Sequence, residues 1–315
     1  MKNSTPLVSF GMPVYNGADF VAEAIRSVQA QTFTDWELVI ADNASTDATL
    51  SICKEFAARD SRIRVYENDR NLGFAPNFNR VFLLSHGQYF SWISHDDAVG
   101  PEFVERCLAI LESDSQTVLA FPRIAYVNEC GKLLREQQAL DLSVLGPTVS
   151  TRVGQLMKFE MQGTDIFWCH YGLIRRNVLE ETQLQESYGG SDQTLILELA
   201  IRGQLRQFSA ETFYRREHPG AATMRRGWTV LERAKFIDSA DTRTFVFPYC
   251  RMLKEHLSAI QRSDSSTTEK LRCHVAIFRR FFSQWKYFAN ELIHSSMQGL
   301  RARLGGTRSS EKLGY

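Results

Sequence analysis

An α/β fold, with a mainly parallel sheet covered by helices on both faces and a helical C-terminal region, is predicted by three observations. Four short apolar runs alternate with four stretches of helical apolar spacing between Leu7 and Glu112, the pattern of strands joined by crossover helices. Each run ends in a polar, turn-forming segment. From Glu232 onward the spacing is helical and no strand is evident. The division predicted is an α/β unit over residues 1–225 and a helical region over residues 226–315.

The elements follow in order. Leu7 to Met12 reads as a buried strand stopped by Pro13, and Asn16-Gly17 opens a helix whose inner face is Phe20, Val21, Ala24, Ile25 and Val28. Trp36 to Ala41 is a second strand, followed by capping Asn43 and Ser45 and a helix through Ile52 and Phe56. "RIRVYEND" is a third strand, "LGFAPNFNRVFLL" a third helix and "QYFSWIS" a fourth strand. A fourth helix runs from Pro101 to Glu112, with the proline suited to its first turn. "VLAFPRIAYVNECGKLL" is a strand with a turn, and Arg135 to Arg152 is polar and irregular, so it reads as a loop. "HYGLIRRNVL" is a strand leading into a helix, and "YGGSDQTLILELAIRG" is a glycine turn and a helix capped by Ser191. "RQFSAETFYRREHPGAAT" is a strand and a basic loop with His218 near its tip. In "VAIFRRFFSQWKYFANELI", Phe278, Phe281, Phe282, Trp285, Phe288 and Leu292 share one helix face, with Arg279, Arg280 and Lys286 off it. That face has three open partners: its own α/β unit, a second copy in a homodimer, or an anionic membrane surface. Residues 271–315 hold eight Lys/Arg against two Asp/Glu, which suits the last. The tail after Gly305 reads as disordered.

Composition narrows the function classes. The chain has 315 residues with a formal charge of +1, so no overall bias draws it to nucleic acid. Six scattered cysteines without a CxxC pair predict neither a zinc ribbon nor a dithiol redox site, and fit a reducing compartment. No secretory leader or membrane-spanning run is legible, so a cytoplasmic chain, or one at the inner face of the membrane, is expected.

Three predicted strands end in carboxylates: the second at Asp42-Asn43, the third at Asn68-Asp69-Arg70 and the fourth at His95-Asp96-Asp97. In parallel sheets, ligands bind beyond the carboxyl ends of the strands. A lone Asp-Asp pair reads as a solvated turn, and lone Asp192 as a favourable helix-terminus charge. Convergence of several acids in one cleft points instead to a divalent cation or a hydroxyl-rich ligand. Neither GxGxxG nor GxxxxGK[ST] occurs, so phosphates would be neutralised by a carboxylate-held metal.

"VSFGMPVYNGADFVAEAIRSVQAQTFTDWELVIADNASTDAT", "NDRNLGFAPNFNR" and "SHDD" together resemble the family 2 glycosyltransferases of GT-A fold, the bacterial polysaccharide-biosynthesis type, over roughly residues 5–220. The resemblance implies an inverting transferase that moves a sugar from a nucleotide-diphosphate donor, UDP-sugar favoured, to a hydroxyl on a glycan or lipid-linked acceptor, with Mn2+ or Mg2+ as cofactor. By matching positions it places Pro13, Val14 and Tyr15 along the nucleobase, Asp42 on the base ring, and Arg70 and Asn79 near the nucleotide. Asp96 would meet ribose or sugar hydroxyls, Asp97 the metal, and Asp192 would be the general base. His218 would meet the metal or diphosphate. Arg215 and Arg216 are candidates for the phosphates and Trp168 for sugar stacking, while His170 fits a core histidine. The chain departs from the family pattern at Ser94, where relatives often carry Asp, and at Ser191, where Glu is frequent; His95 fills the variable place and is a candidate metal helper. Two other readings stay open: a nucleotidyltransferase, although "GMPVYNGADF" lacks that class's lysine, and a degenerate transferase serving as an assembly partner.

Overall fold

The computed structural model describes residues 5–137, 140–221, 230–243, 246–286, 288–289, 291–293 and 297. The tail after Gly305 and the basic loop beyond Ala221 lie outside the described residues. Among the described residues, nine strands form one sheet: β1 (Val8–Val14), β2 (Trp36–Asp42), β3 (Ile63–Glu67), β4 (Tyr89–Trp92), β5 (Ala98–Val99), β6 (Thr117–Val127), β7 (Leu133–Glu136), β8 (Leu173–Arg175) and β9 (Gln204–Arg216). Their order is β3-β2-β1-β4-β8-β6-β9-β5, with β7 on β6. β1, β2, β3 and β4 pair in parallel, joined through α1 (Val21–Gln29), α2 (Thr49–Arg59) and α3 (Phe74–Leu83). β8 is antiparallel to both β4 and β6, so β4 and β6 point the same way, and β9 runs parallel to β6. The sheet is therefore mixed: β1, β2, β3, β4, β6 and β9 run one way, the parallel part that the alternation predicts, while β8 at the centre and β5 and β7 run against them.

All seven residues of β2 are buried, as expected of a strand covered on both faces. Phe10, Trp36, Phe78, Phe90 and Trp92 are among the largest fully buried side chains, and each stabilises the fold by roughly 1.5–3 kcal/mol. β1 runs through Pro13 rather than stopping there. β4 pairs with β1 only as far as Gly11, so a missing N–H two residues later removes no ladder bond on that side. Asn43 and Ser45 do not cap α2, whose N-cap is Ala48. α4 (Phe103–Ser113) begins after Glu102, leaving Pro101 just outside it.

The middle holds more regular structure than its polarity predicts. α5 (Val149–Met161) is capped by the Thr148 side chain accepting from the Thr151 N–H. It begins inside the stretch read as a loop. A 3-10 turn, Asp165–Tyr171, replaces the start of the expected strand and leads into β8 and the short α6 (Arg176–Glu180). α7 (Ser191–Arg202) starts after Gly190, so Ser191 is its first residue and not its cap. Gly190 has φ +91° and an added Cβ would lie 2.7 Å from the Met252 sulfur, so this turn requires glycine.

The C-terminal region is helical as expected: α8 (Val230–Ile237), α9 (Pro248–Arg262) and α10 (Thr267–Ser283). α9 has proline in its first turn. Ser266 caps α10, and Glu269 accepts from the Ser150 N–H of α5 at 2.8 Å. α10 packs against α5 and α9, and α9 against α7. Ile277, Arg280 and Phe281 turn inward, whereas Phe278, Phe282 and Trp285 remain exposed. The predicted single aromatic face is thus divided: Phe281 packs inward with Arg280, which the sequence placed off that face.

Candidate active site

A cleft of about 720 Å³ opens between the sheet's carboxyl edge and the C-terminal helices. Its walls include Asp96, Asp97, Trp168, Asp192, Arg215 and Arg216, which come from the β4–β5 connection, the 3-10 turn, α7 and the end of β9. The opposite wall includes Phe236 of α8, Tyr249 of α9 and Arg280 of α10.

Asp96 and Asp97 have opposite environments. The Asp96 carboxylate is contacted by His218 Nε2 at 3.0 Å and by the Ser94 hydroxyl. Burial opposes its ionisation, but the His218 hydrogen bond, the His95 charge and Ser94 together overcome this and hold it well below the usual carboxylate range. Asp97 is 6% exposed. Burial, reinforced by the Asp96 charge, pushes it up to about 8, despite Arg215, the Arg216 N–H and the Arg216 charge. That backbone N–H donates to Asp97 Oδ1 at 2.9 Å. The Arg216 guanidinium is engaged by protein atoms: it donates to the carbonyls of Asp96, Asn128 and Glu129 and pairs with Glu23 at 2.6 Å. It therefore fixes the Asp96-Asp97 turn to β9. The Arg215 guanidinium lies over the Trp168 ring at 3.3 Å from its centroid.

Asp97 is a fitting ligand for a divalent ion, because a buried carboxylate beside a second one favours a positive partner. Among the described residues, no group of three His, Cys, Asp or Glu forms a ready cage. This donor set suits an ion held by one or two carboxylates and completed by phosphate oxygens and water, the usual habit of Mg2+.

Asp192 lies in the first turn of α7, where its Oδ1 accepts from the Gln193 N–H at 3.0 Å. Beside it in the cleft wall is Glu160 of α5, which burial, opposed by Arg280 and aided by the Asp192 charge, raises to about 7. His170 is 3% exposed, and its Nδ1 donates to the Phe167 carbonyl at 2.6 Å. Burial lowers its pKa, which keeps it neutral.

The other predicted residues lie outside this wall. Val14 pairs with Asp42 at the ends of β1 and β2, between Pro13 and the exposed Tyr15. Asp42 is fully buried; Oδ2 accepts from the Ser45 N–H at 2.9 Å, and Oδ1 has no hydrogen-bond partner among the described residues. A buried acceptor left open is costly, and an N–H of a bound base would satisfy it. Arg70 is exposed in the loop after β3. Asn79 of α3 exchanges two hydrogen bonds with the Gln185 backbone, so it clips the loop before α7. His95 packs over Gly17, where an added Cβ would lie 2.2 Å from the ring.

Sequence reading missed Glu160, Arg280, Tyr249 and the Asn43–Asn68–Asn77 hydrogen-bond chain at the strand ends. Asn43 was legible only as a cap; in the structure it ties β2 to the 68–73 loop.

Residues 9–183 match the family model for glycosyl transferase family 2. A protein named as a glycosyltransferase, EpsE of Bacillus subtilis, is 39% identical over 111 residues, 35% of this chain and 40% of EpsE. The chondroitin synthase of Escherichia coli is 32% identical over 129 residues, 41% of this chain and 19% of that protein. These matches span well under two thirds of the relatives' own length. Among solved structures, S. aureus TarS 1–349 in complex with UDP-GlcNAc superposes with a TM-score of 0.61 at 16% identity, covering 88% of this chain and 72% of that one. The mannosyltransferase PcManGT from Pyrobaculum calidifontis, with GDP-Man and Mn2+, gives 0.52 at 14% identity, covering 98% and 77%. These likenesses bear out the GT-A architecture.

Proposed function

The chain belongs to glycosyl transferase family 2, and from that premise we propose that it moves a sugar from a nucleotide-diphosphate donor, UDP-sugar favoured, to a hydroxyl acceptor with inversion, in the building of a polysaccharide. The observation that carries this reading is the meeting of Asp97, Asp192 and Arg215 in one cleft at the carboxyl edge of the sheet.

Asp192 is the general base: a hydroxyl is a weak nucleophile, and a carboxylate that takes its proton as the new bond forms contributes ~10²–10⁴-fold. The proton ends on Asp192, the acceptor oxygen takes the sugar carbon, and the nucleotide diphosphate leaves from the opposite face. A divalent ion held at Asp97 would supply Lewis-acid stabilisation of that leaving group. Arg215 offers it charge-assisted hydrogen bonds, and Arg216 fixes the turn that carries Asp97. Asp42, Pro13, Val14 and Tyr15 form the nucleobase end, with Arg70 and Asn79 beside the nucleotide. Asp96 meets ribose or sugar hydroxyls and is steadied by His218. The Arg215 guanidinium covers one face of Trp168, so a sugar would meet the ring at its remaining surface. Family membership sets aside the nucleotidyltransferase reading, and the retained carboxylates speak against a scaffold.

The same reading extends to location. α10 and the residues just after it present an apolar stripe beside Arg272, Arg279 and Lys286, which suits an anionic membrane surface where a lipid-linked acceptor resides. Among the described residues, no helix is long and apolar enough to cross a membrane.

The test is thermal stabilisation by UDP, GDP, dTDP and CDP, with and without Mn2+, on wild type and Asp97→Ala. Stabilisation by one nucleotide that needs metal and is lost in the variant is expected. No stabilisation of folded wild type by any of them would overturn the reading.

A further inference from the structure

The strongest unassigned feature is the Glu160–Arg280 pair in the cleft wall. Both residues are 3% exposed, and Arg280 Nε lies 2.8 Å from Glu160 Oε2. Beyond this ion pair, neither Glu160 oxygen has a partner among the described residues. The rest of the Arg280 guanidinium is directed elsewhere: it donates to the Tyr249 hydroxyl at 3.1 Å and to Gln193 Oε1 at 3.1 Å. Arg280 thus joins α10 to α9, to α5 and to the residue next to Asp192.

A buried carboxylate with open lone pairs costs about 1–3 kcal/mol or more, and buried ion pairs are poor sources of stability. Such a group in a cleft wall needs a ligand that donates hydrogen bonds. The surroundings choose its class. A phosphate or carboxylate would meet Glu160 and Asp192 as like charges. A cation finds Arg280 already beside Glu160. Hydroxyl groups match: they donate to Glu160 and carry no charge to desolvate. Tyr249, Trp168 and Phe236 supply aromatic surface in the same cleft, as sugar rings prefer.

We propose that Glu160, held in place by Arg280, accepts a hydrogen bond from a hydroxyl of a neutral carbohydrate acceptor and positions that sugar against Asp192. This rests on the transferase reading above. It gives the C-terminal helices a task in acceptor recognition, because Arg280 is theirs.

The experiment uses the full chain with UDP and Mn2+ bound, and neutral methyl glycosides (glucoside, galactoside, mannoside, N-acetylglucosaminide, N-acetylgalactosaminide) as probes, read by saturation-transfer NMR. At least one glycoside is expected to bind wild type. Glu160→Gln is expected to weaken it tenfold or more while UDP affinity stays within twofold. The paired variant Glu160→Gln/Arg280→Met, which leaves no unpaired buried charge, should show the same loss if the single variant folds poorly. Equal glycoside affinity in wild type and a folded variant would overturn the proposal. So would the absence of any neutral glycoside binding to UDP-loaded wild type. Failure of UDP itself to bind wild type would count against the donor reading instead; glycoside titration without nucleotide would then decide the Glu160 proposal alone.

Discussion

Replacing Asp192 with asparagine keeps the size of the side chain and its place in the first turn of α7, but removes the carboxylate proposed to take the acceptor's proton. A drop in kcat of about 10²–10⁴ is therefore expected, with nucleotide affinity unchanged, when release of nucleotide diphosphate is followed in turnover. A loss of nucleotide affinity with kcat intact would show that Asp192 belongs to the donor side. Asp96 and Asp97 show why their roles are not interchangeable. They are sequence neighbours, yet one is held ionised by His218 and Ser94 while the other is buried and raised to about 8. "SHDD" announced the pair, and "HPG" announced a histidine nearby. Nothing local announced that His218 grips Asp96, because that contact closes only when β9 lies beside β6. Glu160 and Arg280 were illegible for the same reason: they are 120 positions apart in the numbering, and a charged residue in a helical pattern reads as a solvated face until the packing turns it inward.

Among the elements, the strand–helix alternation through Leu111 was legible because β1, β2 and β4 are near-continuous apolar runs, β3 alternates, and each crossover helix shows a 3.6-residue period. α5 was not legible. It starts within a polar stretch, and its core contacts, Val153, Leu156 and Met157, are too few to overcome that polarity in a reading by pattern alone. In α10 the period was legible but its partners were not. Leu271, Val275, Phe278, Phe282 and Trp285 recur at helical spacing on the exposed side, with Phe282 71% and Trp285 59% exposed. Arg272, Arg279 and Lys286 line one flank of that stripe. Aromatic and basic side chains arranged this way complement an anionic bilayer, each cation near the surface being worth ≈ 1 kcal/mol. Full-length protein should float with phosphatidylglycerol vesicles at low salt and be released by high salt. The variant Phe278→Ser/Phe282→Ser/Trp285→Ser should lose this binding at least tenfold. A wild type that ignores such vesicles and sediments as a dimer would make the stripe a contact between copies instead.

At the scale of the molecule, the C-terminal helices and the sheet-bearing part share one interior. His256 of α9 is fully buried against Thr194 of α7, with Nδ1 3.2 Å from the threonine hydroxyl, and its ring meets Phe281 of α10 edge-on. Burial, aided by the Arg280 charge, lowers its pKa from 6.5 to about 3. The unfolded chain therefore binds a proton at this site between about pH 6.5 and pH 3 while the folded chain does not, so His256 makes stability fall as pH drops through that window. Glu160 acts in the opposite direction. Raised from 4.5 to about 7, it binds its proton in the folded state first, and favours folding toward the acid side of that range. The two effects oppose each other between about pH 4.5 and 6.5, so wild type alone does not separate them. A His256→Phe variant does. Its stability relative to wild type should improve steadily as pH falls from 6.5 to 4.5, measured by denaturant midpoints at fixed salt, even if it is less stable at pH 8 for loss of the Thr194 contact. A difference that stays constant with pH would mean that His256 takes up its proton as readily in the folded chain as in the unfolded one, and that the junction between the C-terminal helices and α7 is open to water. A difference that grows on acidification would show that the junction is dry, which is the condition under which the Arg280–Glu160 contact can hold one wall of the cleft in a fixed relation to Asp192.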